Sequence, residues 1–163
     1  MGRSSPELST AKKLVSVKSA RRTLTALWFI YSAIALMLLI INVIGRFESD
    51  EINKAFSWYL PSVVPTLSLI IGVLIQNTRQ KSIDKLVDRL LYVLAYSLTH
   101  FYFMLVFVTL FSEILADILN PLNPNPPSLI DNMSKSHFYL GPCQGLVVAC
   151  MGAFFVSKDQ SGR

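Results

Sequence analysis

The chain has 163 residues, of which 52% are hydrophobic and 15% charged, with a formal net charge of +5 and a mean hydropathy of +0.48. Soluble domains carry about 25% charged residues, so the charges here are too few to cover a soluble surface, and the apolar content is too high for disorder. Two cysteines exclude a disulfide framework and a cysteine-rich zinc site. The composition therefore predicts an all-α, polytopic membrane protein.

Residues 1–23 form a basic segment before the first apolar run. Two interpretations stay open: a helix that lies on the inner leaflet and attracts anionic lipid, or a solvated charge run that orients the first span. The segment has no interleaved aromatic residues and no recognisable nucleic-acid-binding fold, so we expect no direct nucleic-acid partner.

Four apolar runs follow, each long enough for a helix that crosses the roughly 30 Å hydrocarbon core. They cover about residues 24–44, 58–76, 86–112 and 138–156. Their apolar character continues all the way round the helix, which excludes a soluble bundle with one polar face per helix. We predict a four-helix transmembrane domain over residues 24–156 and a short tail over 157–163.

The second run begins with aromatic and proline residues. Trp58 and Tyr59 are typical of the membrane interface, Pro61 suits a first helical turn, and Pro65 predicts a kink. The prolines either shape the mouth of a pore or only shape the beginning of the helix. Ser68 and Gly72 form a pair of small residues that permits close helix packing.

The third run carries polar groups along one face. Tyr92, Tyr96 and His100 follow at four-residue spacing, so they line one side of a helix. An ionisable residue at membrane depth indicates a pore lining, a ligand site or a proton relay; the alternative is a neutral histidine bonded to a neighbouring helix. Beyond this run, apolar residues between 114 and 119 either extend the helix or lie along the interface.

The fourth run contains a ladder of small residues at four-residue spacing. Its members are Gly141, Gly145, Ala149 and Ala153. Such a ladder lets helix backbones approach closely, which drives association where lipid supplies no hydrophobic force. Contact within the monomer and contact between subunits are both open interpretations.

The distribution of lysine and arginine predicts the orientation. Twelve of the fifteen lie before the first span, between the second and third, at the beginning of the third (Arg89), or after the fourth. By the positive-inside rule both termini are cytoplasmic, and we expect a multi-pass protein of the inner (plasma) membrane. The predicted cytoplasmic basic face comprises Lys12, Lys13, Lys18, Arg21, Arg22, Arg79, Lys81, Lys85 and Arg89.

The sequence contains no motif that indicates chemistry. It has no paired carboxylates within a span, no Cys-x-x-Cys, no His-Glu-x-x-His and no phosphate-binding glycine loop. We therefore predict no enzyme activity, no catalytic residue, no cofactor and no metal site.

The segment Leu60-Pro-Ser-Val-Val-Pro-Thr-Leu-Ser-Leu-Ile-Ile-Gly-Val-Leu74 is the nearest approach to a local signature. With four spans, a basic inner face and hardly any soluble mass, the chain resembles the small membrane subunits and effectors of bacterial anti-phage defence systems, such as the Kiwa membrane subunit. The resemblance implies a membrane-resident oligomer that senses a membrane event or recruits a cytoplasmic effector.

Three functional hypotheses follow. The first is a non-enzymatic, self-assembling membrane scaffold and sensor with a cytoplasmic protein partner. The second is an oligomeric channel or pore lined by Tyr92, Tyr96 and His100. The third is a small transporter or membrane enzyme centred on His100.

Overall fold

Four long apolar helices dominate the computed structural model, which describes residues 14–43, 48–79, 86–119, 121–122 and 127–156. The helices are α1 (Val17–Val43), α2 (Ser49–Arg79), α3 (Arg89–Leu110), the short α4 (Ser112–Leu119) and α5 (Leu129–Val156). All except α4 are long and apolar enough to span a membrane. The predicted helical architecture with four candidate spans is confirmed.

Two three-residue strands, β1 (Leu14–Ser16) and β2 (Leu86–Asp88), pair antiparallel immediately before α1 and α3. The sequence predicted helix over residues 86–88 and gave helix as one of two open interpretations for residues 14–16, so the structure differs from the prediction in this strand pairing. The strand pair places the beginnings of α1 and α3 at the same end of the molecule. The two helices run in the same direction, because Trp28 bonds to Thr99 and Tyr31, one turn later, lies beside Phe103 and Phe107.

Helix α2 begins at Ser49, nine residues before the predicted start of the second span. The Glu48 carbonyl accepts hydrogen bonds from the N–H groups of Glu51 and Ile52, both at 3.1 Å. Asp50 and Glu51 lie in the first turn, where negative charge stabilises the positive end of the helix dipole. The apolar pattern marks only the part of α2 that follows this polar beginning.

Helix α5 begins at Leu129, also nine residues earlier than predicted. The Ser128 hydroxyl accepts a hydrogen bond from the N–H of Asp131 at 3.2 Å, which makes Ser128 the N-cap. The Asn132 amide donates to the Ser112 hydroxyl at 2.9 Å. This bond holds the beginning of α5 against the beginning of α4.

Helix α4 continues α3 after a one-residue turn at Phe111. The N–H of Phe111 donates to the Phe107 carbonyl, and the N–H of Leu115 donates to the Phe111 carbonyl, each at 2.9 Å. No residue of α4 is buried. Residues 112–119 are therefore helical, and the two interpretations, an extension of the third span or a helix along the interface, both stay open.

The four long helices form a four-sided bundle. Helix α1 packs beside α2 and α3, and α5 packs beside the same two helices. The α1–α3 side and the α2–α5 side are therefore opposite sides of the bundle, and the pairs α2–α3 and α1–α5 face each other diagonally.

Aromatic side chains fill the interior. The Trp28 ring lies 5.9 Å from the Tyr102 ring and 4.8 Å from the Phe103 ring, centroid to centroid, and all three are buried. Trp58 and Tyr59 are also buried, at 2% and 5% exposure, so both side chains face the protein interior; their position at the depth of the membrane interface stays a prediction. Both have polar partners inside the protein, which an aromatic residue at the interface does not need.

Hydrogen bonds join every pair of long helices. On the sides of the bundle, Tyr59 Oη donates to the Ser32 carbonyl (2.7 Å), Trp28 Nε1 to Thr99 Oγ1 (3.2 Å) and Trp58 Nε1 to Ser136 Oγ (2.7 Å), while the Thr109 and Tyr139 hydroxyls pair at 2.9 Å. On the diagonals, Tyr102 Oη donates to the Ser62 carbonyl (2.6 Å) and Arg21 Nη2 to the Phe155 carbonyl (2.8 Å). Packing and such bonds are what hold helices together in lipid.

Candidate functional site

The ladder of small residues on α5 faces outward. Gly141, Gly145, Ala149 and Ala153 are all exposed. A Cβ atom added at Gly141 or Gly145 would meet no atom within 4 Å. The interpretation that this ladder contacts other helices of the same monomer is therefore wrong, and the ladder lies on the outer surface of the bundle.

The small pair on α2 also faces outward. Ser68 and Gly72 are exposed, as are Pro61 and Pro65, and a Cβ at Gly72 meets nothing within 4 Å. These residues recur at spacings of three and four, so they form one stripe along the helix.

The two stripes lie on adjacent helices. Trp58 bonds to Ser136, and the Gln144 amide nitrogen donates to the Pro61 carbonyl at 2.6 Å, so α2 and α5 run side by side in the same direction. Together the stripes form what we term the small-residue face. It comprises Pro61, Pro65, Ser68 and Gly72 of α2 and Gly141, Gly145, Ala149 and Ala153 of α5.

The two prolines lie inside α2 rather than at its beginning. Pro61 is the thirteenth residue of α2, so the predicted first-turn position is wrong, because the helix begins in its acidic segment. Pro65 follows one turn later, and α2 stays helical through both. Each proline withdraws one backbone N–H from the helical ladder.

Tyr92, Tyr96 and His100 form a continuous stripe on α3, as predicted. The Tyr92 and Tyr96 rings are 6.0 Å apart, and the Tyr96 and His100 rings are 4.2 Å apart. His100 Nδ1 donates to the Tyr96 carbonyl at 2.8 Å, because a carbonyl oxygen can only accept. The predicted alternative of a bond to a neighbouring helix is therefore wrong for Nδ1; Tyr31 of α1 contacts His100 through its ring, at 5.5 Å.

An apolar groove of about 560 Å³ continues from His100 along α3 to α4. Its lining comprises Tyr31, His100, Phe103, Met104, Phe107, Val108, Phe111, Ile114 and Leu115. We term it the aromatic groove; it lies on the α1–α3 side of the bundle, opposite the small-residue face. Sequence reasoning placed His100 on one face of α3, but it missed the groove, which needs Tyr31 from α1 and the two residues from α4.

Among the described basic residues, Arg21 has a defined structural role. Arg21 Nη2 bonds to the Phe155 carbonyl, and its guanidinium carbon lies 5.8 Å from the Phe155 ring centroid, so Arg21 caps the C-terminal end of α5. Arg22 is exposed. Lys18 lies in α1, Arg79 ends α2 and Arg89 begins α3, whereas Lys12, Lys13, Lys81 and Lys85 lie outside the described residues.

Within the described part of the chain, no three histidine, cysteine, aspartate or glutamate residues come together as a metal-ligating group. The hydroxyls of Ser32 and Thr66 are buried and have no hydrogen-bond partner there. An unpartnered hydroxyl in an apolar interior costs stability.

Comparisons of the chain with protein-family models, with curated proteins and with solved structures give no match.

Proposed function

We propose that the protein is a self-assembling, non-enzymatic scaffold and sensor of the inner membrane, which recruits a cytoplasmic protein partner. The observation that carries this proposal is the outward position of the small-residue face on two adjacent helices. Short side chains there let a third helix approach closely, and close approach is the source of attraction between helices in lipid.

A second copy of the chain fits this face for a geometric reason. Helices α2 and α5 are parallel neighbours, and each carries its own stripe of small residues. In a two-fold symmetric dimer the same patch of both subunits meets, so each stripe would contribute to both halves of the contact.

The charge distribution supports the orientation and the partner. The starts of α1 and α3 and the end of α5 share one end of the bundle, where Arg22, Arg79 and Arg89 lie. The acidic first turns of α2, α4 and α5 lie at the opposite end. The positive-inside rule makes the basic end cytoplasmic, where it can attract anionic lipid and an acidic protein surface. The resemblance to anti-phage defence subunits suggests a defence effector as that partner.

The test compares the oligomeric state of the wild type with that of Gly145→Leu. Native mass spectrometry measures it in mild detergent, and cross-linking measures it in membranes. The wild type should be oligomeric and Gly145→Leu monomeric, with unchanged helix content because the added side chain meets nothing within 4 Å of its Cβ. The matched control is Met104→Leu in the aromatic groove, which should assemble normally. A monomeric wild type, or a Gly145→Leu protein that assembles normally, would contradict the proposal.

Recruitment is tested separately. A pull-down from solubilised membranes should recover a cytoplasmic protein with the wild type, and Arg22→Glu should lose it while staying oligomeric. Equal recovery with the wild type and with Arg22→Glu would contradict a role of the basic end in binding the partner.

The alternative of a pore is supported by the continuous stripe Tyr92–Tyr96–His100. A dimer formed through the small-residue face leaves this stripe on the far side of each subunit, away from the shared axis. A lumen lined by His100 therefore requires assembly through the α1–α3 side. Conductance in planar bilayers that disappears in His100→Ala, together with normal assembly of Gly145→Leu, would favour the pore. Transport or turnover abolished by the same His100 substitution would favour a transporter or membrane enzyme.

A further inference from the structure

Pro65 interrupts the backbone hydrogen bonding of α2. In an α-helix the N–H of residue 65 donates to the carbonyl of residue 61, and proline has no N–H. The Pro61 carbonyl is thus deprived of its helical donor. Pro61 is exposed, so its carbonyl lies near the lipid-facing surface of a helix long and apolar enough to span the membrane.

Gln144 of α5 supplies a donor in place of the lost N–H. Its side-chain amide nitrogen lies 2.6 Å from the Pro61 oxygen, and an amide nitrogen is the only group of the glutamine side chain that can donate to a carbonyl. We propose that Gln144 is a positioning residue that replaces the hydrogen bond removed by Pro65 and so fixes how α2 bends against α5.

The surrounding hydrocarbon explains why the replacement is needed. In water an exposed carbonyl would bond to solvent, but the bilayer core holds no water that could satisfy the freed backbone group. Proline is tolerated in membrane helices where a side chain of a neighbouring helix satisfies the freed group. Gln144 is such a side chain.

The position of the Gln144–Pro61 bond along α2 lets it control the angle between the two parts of this helix. Trp58, Tyr59 and the Ser62 carbonyl bond to α5, α1 and α3, so the part of α2 that precedes Pro65 is attached to all three other long helices. Pro65 divides this attached part from the following part, which carries Ser68 and Gly72. The bond from Gln144 to the Pro61 carbonyl is the attachment to α5 that lies one turn before Pro65. Loss of this bond should therefore change the angle at which the part of α2 after Pro65 leaves the attached part.

The decisive test is a double-mutant cycle of Gln144→Leu and Pro65→Ala. The average interhelical hydrogen bond in a membrane protein corresponds to about a threefold change in the unfolding equilibrium constant. Gln144→Leu alone should therefore increase unfolding about threefold or more. In the Pro65→Ala background the restored backbone N–H of residue 65 donates to the Pro61 carbonyl, and Gln144→Leu should then increase unfolding clearly less than it does in the wild type. Unfolding is measured in bicelles that hold one protein each, so the result does not depend on self-assembly.

The matched control is Asn42→Leu. Asn42 Nδ2 donates to the Leu38 carbonyl of its own helix at 2.8 Å, so the effect of removing it should be the same in the wild-type and Pro65→Ala backgrounds. An equal effect of Gln144→Leu in both backgrounds would overturn the proposal, because a glutamine that only fills space does not depend on the donor at residue 65.

A distance measurement covers the case in which Pro65→Ala does not fold. Spin labels at the exposed positions Ile71 of α2 and Leu146 of α5 report the angle between the two helices. In Gln144→Leu the distance distribution should broaden or shift relative to the wild type, whereas Asn42→Leu should leave it unchanged. An unchanged distribution in Gln144→Leu would overturn the proposal.

Discussion

Substitution of Tyr102 separates the energy of one hydrogen bond from the energy of ring packing. Tyr102 is fully buried, its hydroxyl donates to the Ser62 carbonyl at 2.6 Å, and its ring packs against Trp28 and Phe103. Tyr102→Phe removes only the hydroxyl. The Ser62 carbonyl keeps its helical donor from Thr66, so no backbone group is orphaned. We expect a loss of about 0.6 kcal/mol, which is the average for such bonds in a bilayer.

Tyr102→Ala removes the ring as well and leaves a cavity between α2 and α3. In a soluble protein an aromatic-to-alanine change costs about 3–5 kcal/mol, which includes the transfer of the ring from water. Separated membrane helices keep the ring in lipid, so the transfer contribution disappears. A cavity of roughly 100 Å³ at about 24 cal/mol per Å³ then contributes about 2.4 kcal/mol, and the lost hydrogen bond adds about 0.6 kcal/mol, so we expect a total loss of about 3 kcal/mol.

The assay is reversible unfolding in bicelles or in mixed detergent and SDS, followed by tryptophan fluorescence from the adjacent Trp28. Tyr96→Phe is the control: Tyr96 is 37% exposed, so the loss of its hydroxyl should change the free energy of unfolding little. A Tyr102→Phe loss above about 2 kcal/mol would refute the reasoning, because it exceeds the largest coupling measured for such bonds. A Tyr102→Ala loss no larger than that of Tyr102→Phe would show that the ring is not close-packed.

Three further predictions concern the ends and the core of the bundle. Ser128→Ala removes the N-cap of α5, so it should cost about 1 kcal/mol and speed hydrogen exchange at the Asp131 amide, with Ser128→Asp restoring protection. Arg21→Gln removes the donor to the Phe155 carbonyl and the contact with the Phe155 ring; exchange in the last turn of α5 should increase, whereas Arg22→Gln should leave it unchanged. Trp58→Phe and Ser136→Ala break the same bond, so their unfolding free energies should be non-additive; strict additivity would contradict the bond.

Sequence patterns predicted the number and the type of the long elements, because apolar length is a strong signal in a membrane protein. They failed at the beginnings of α2 and α5, because Glu48 and Ser128 start these helices through local hydrogen bonds in polar segments. Hydropathy does not report such bonds. The strand pair β1–β2 was missed because its partners are far apart in sequence and only three residues long.

The sequence predicted which residues share one face of a helix, but it did not predict whether that face lies inside the bundle or on its surface. Four-residue spacing placed Gly141 and Gly145 on one side of α5, but only the positions of α2 and α3 decide whether that side faces inward or outward. The same limit applies to Trp58, whose residue type suits both an interface and a buried bond to Ser136. The pairing of Gln144 with the carbonyl freed by Pro65 needs the register of two helices, which no local pattern contains.

The sequence separation of the bonded partners has a consequence for biosynthesis. Trp28 donates to a threonine 71 residues later in the chain, and Trp58 donates to a serine 78 residues later. At a synthesis rate of about 5–20 residues per second, the first tryptophan is complete roughly 4 to 14 s before its acceptor. During that interval the nascent α1–α2 hairpin carries indole N–H donors with no native acceptor. A chain truncated before α5 would never supply the native acceptor of the Trp58 indole, so an unfinished copy would keep one buried-type donor unpaired in the bilayer.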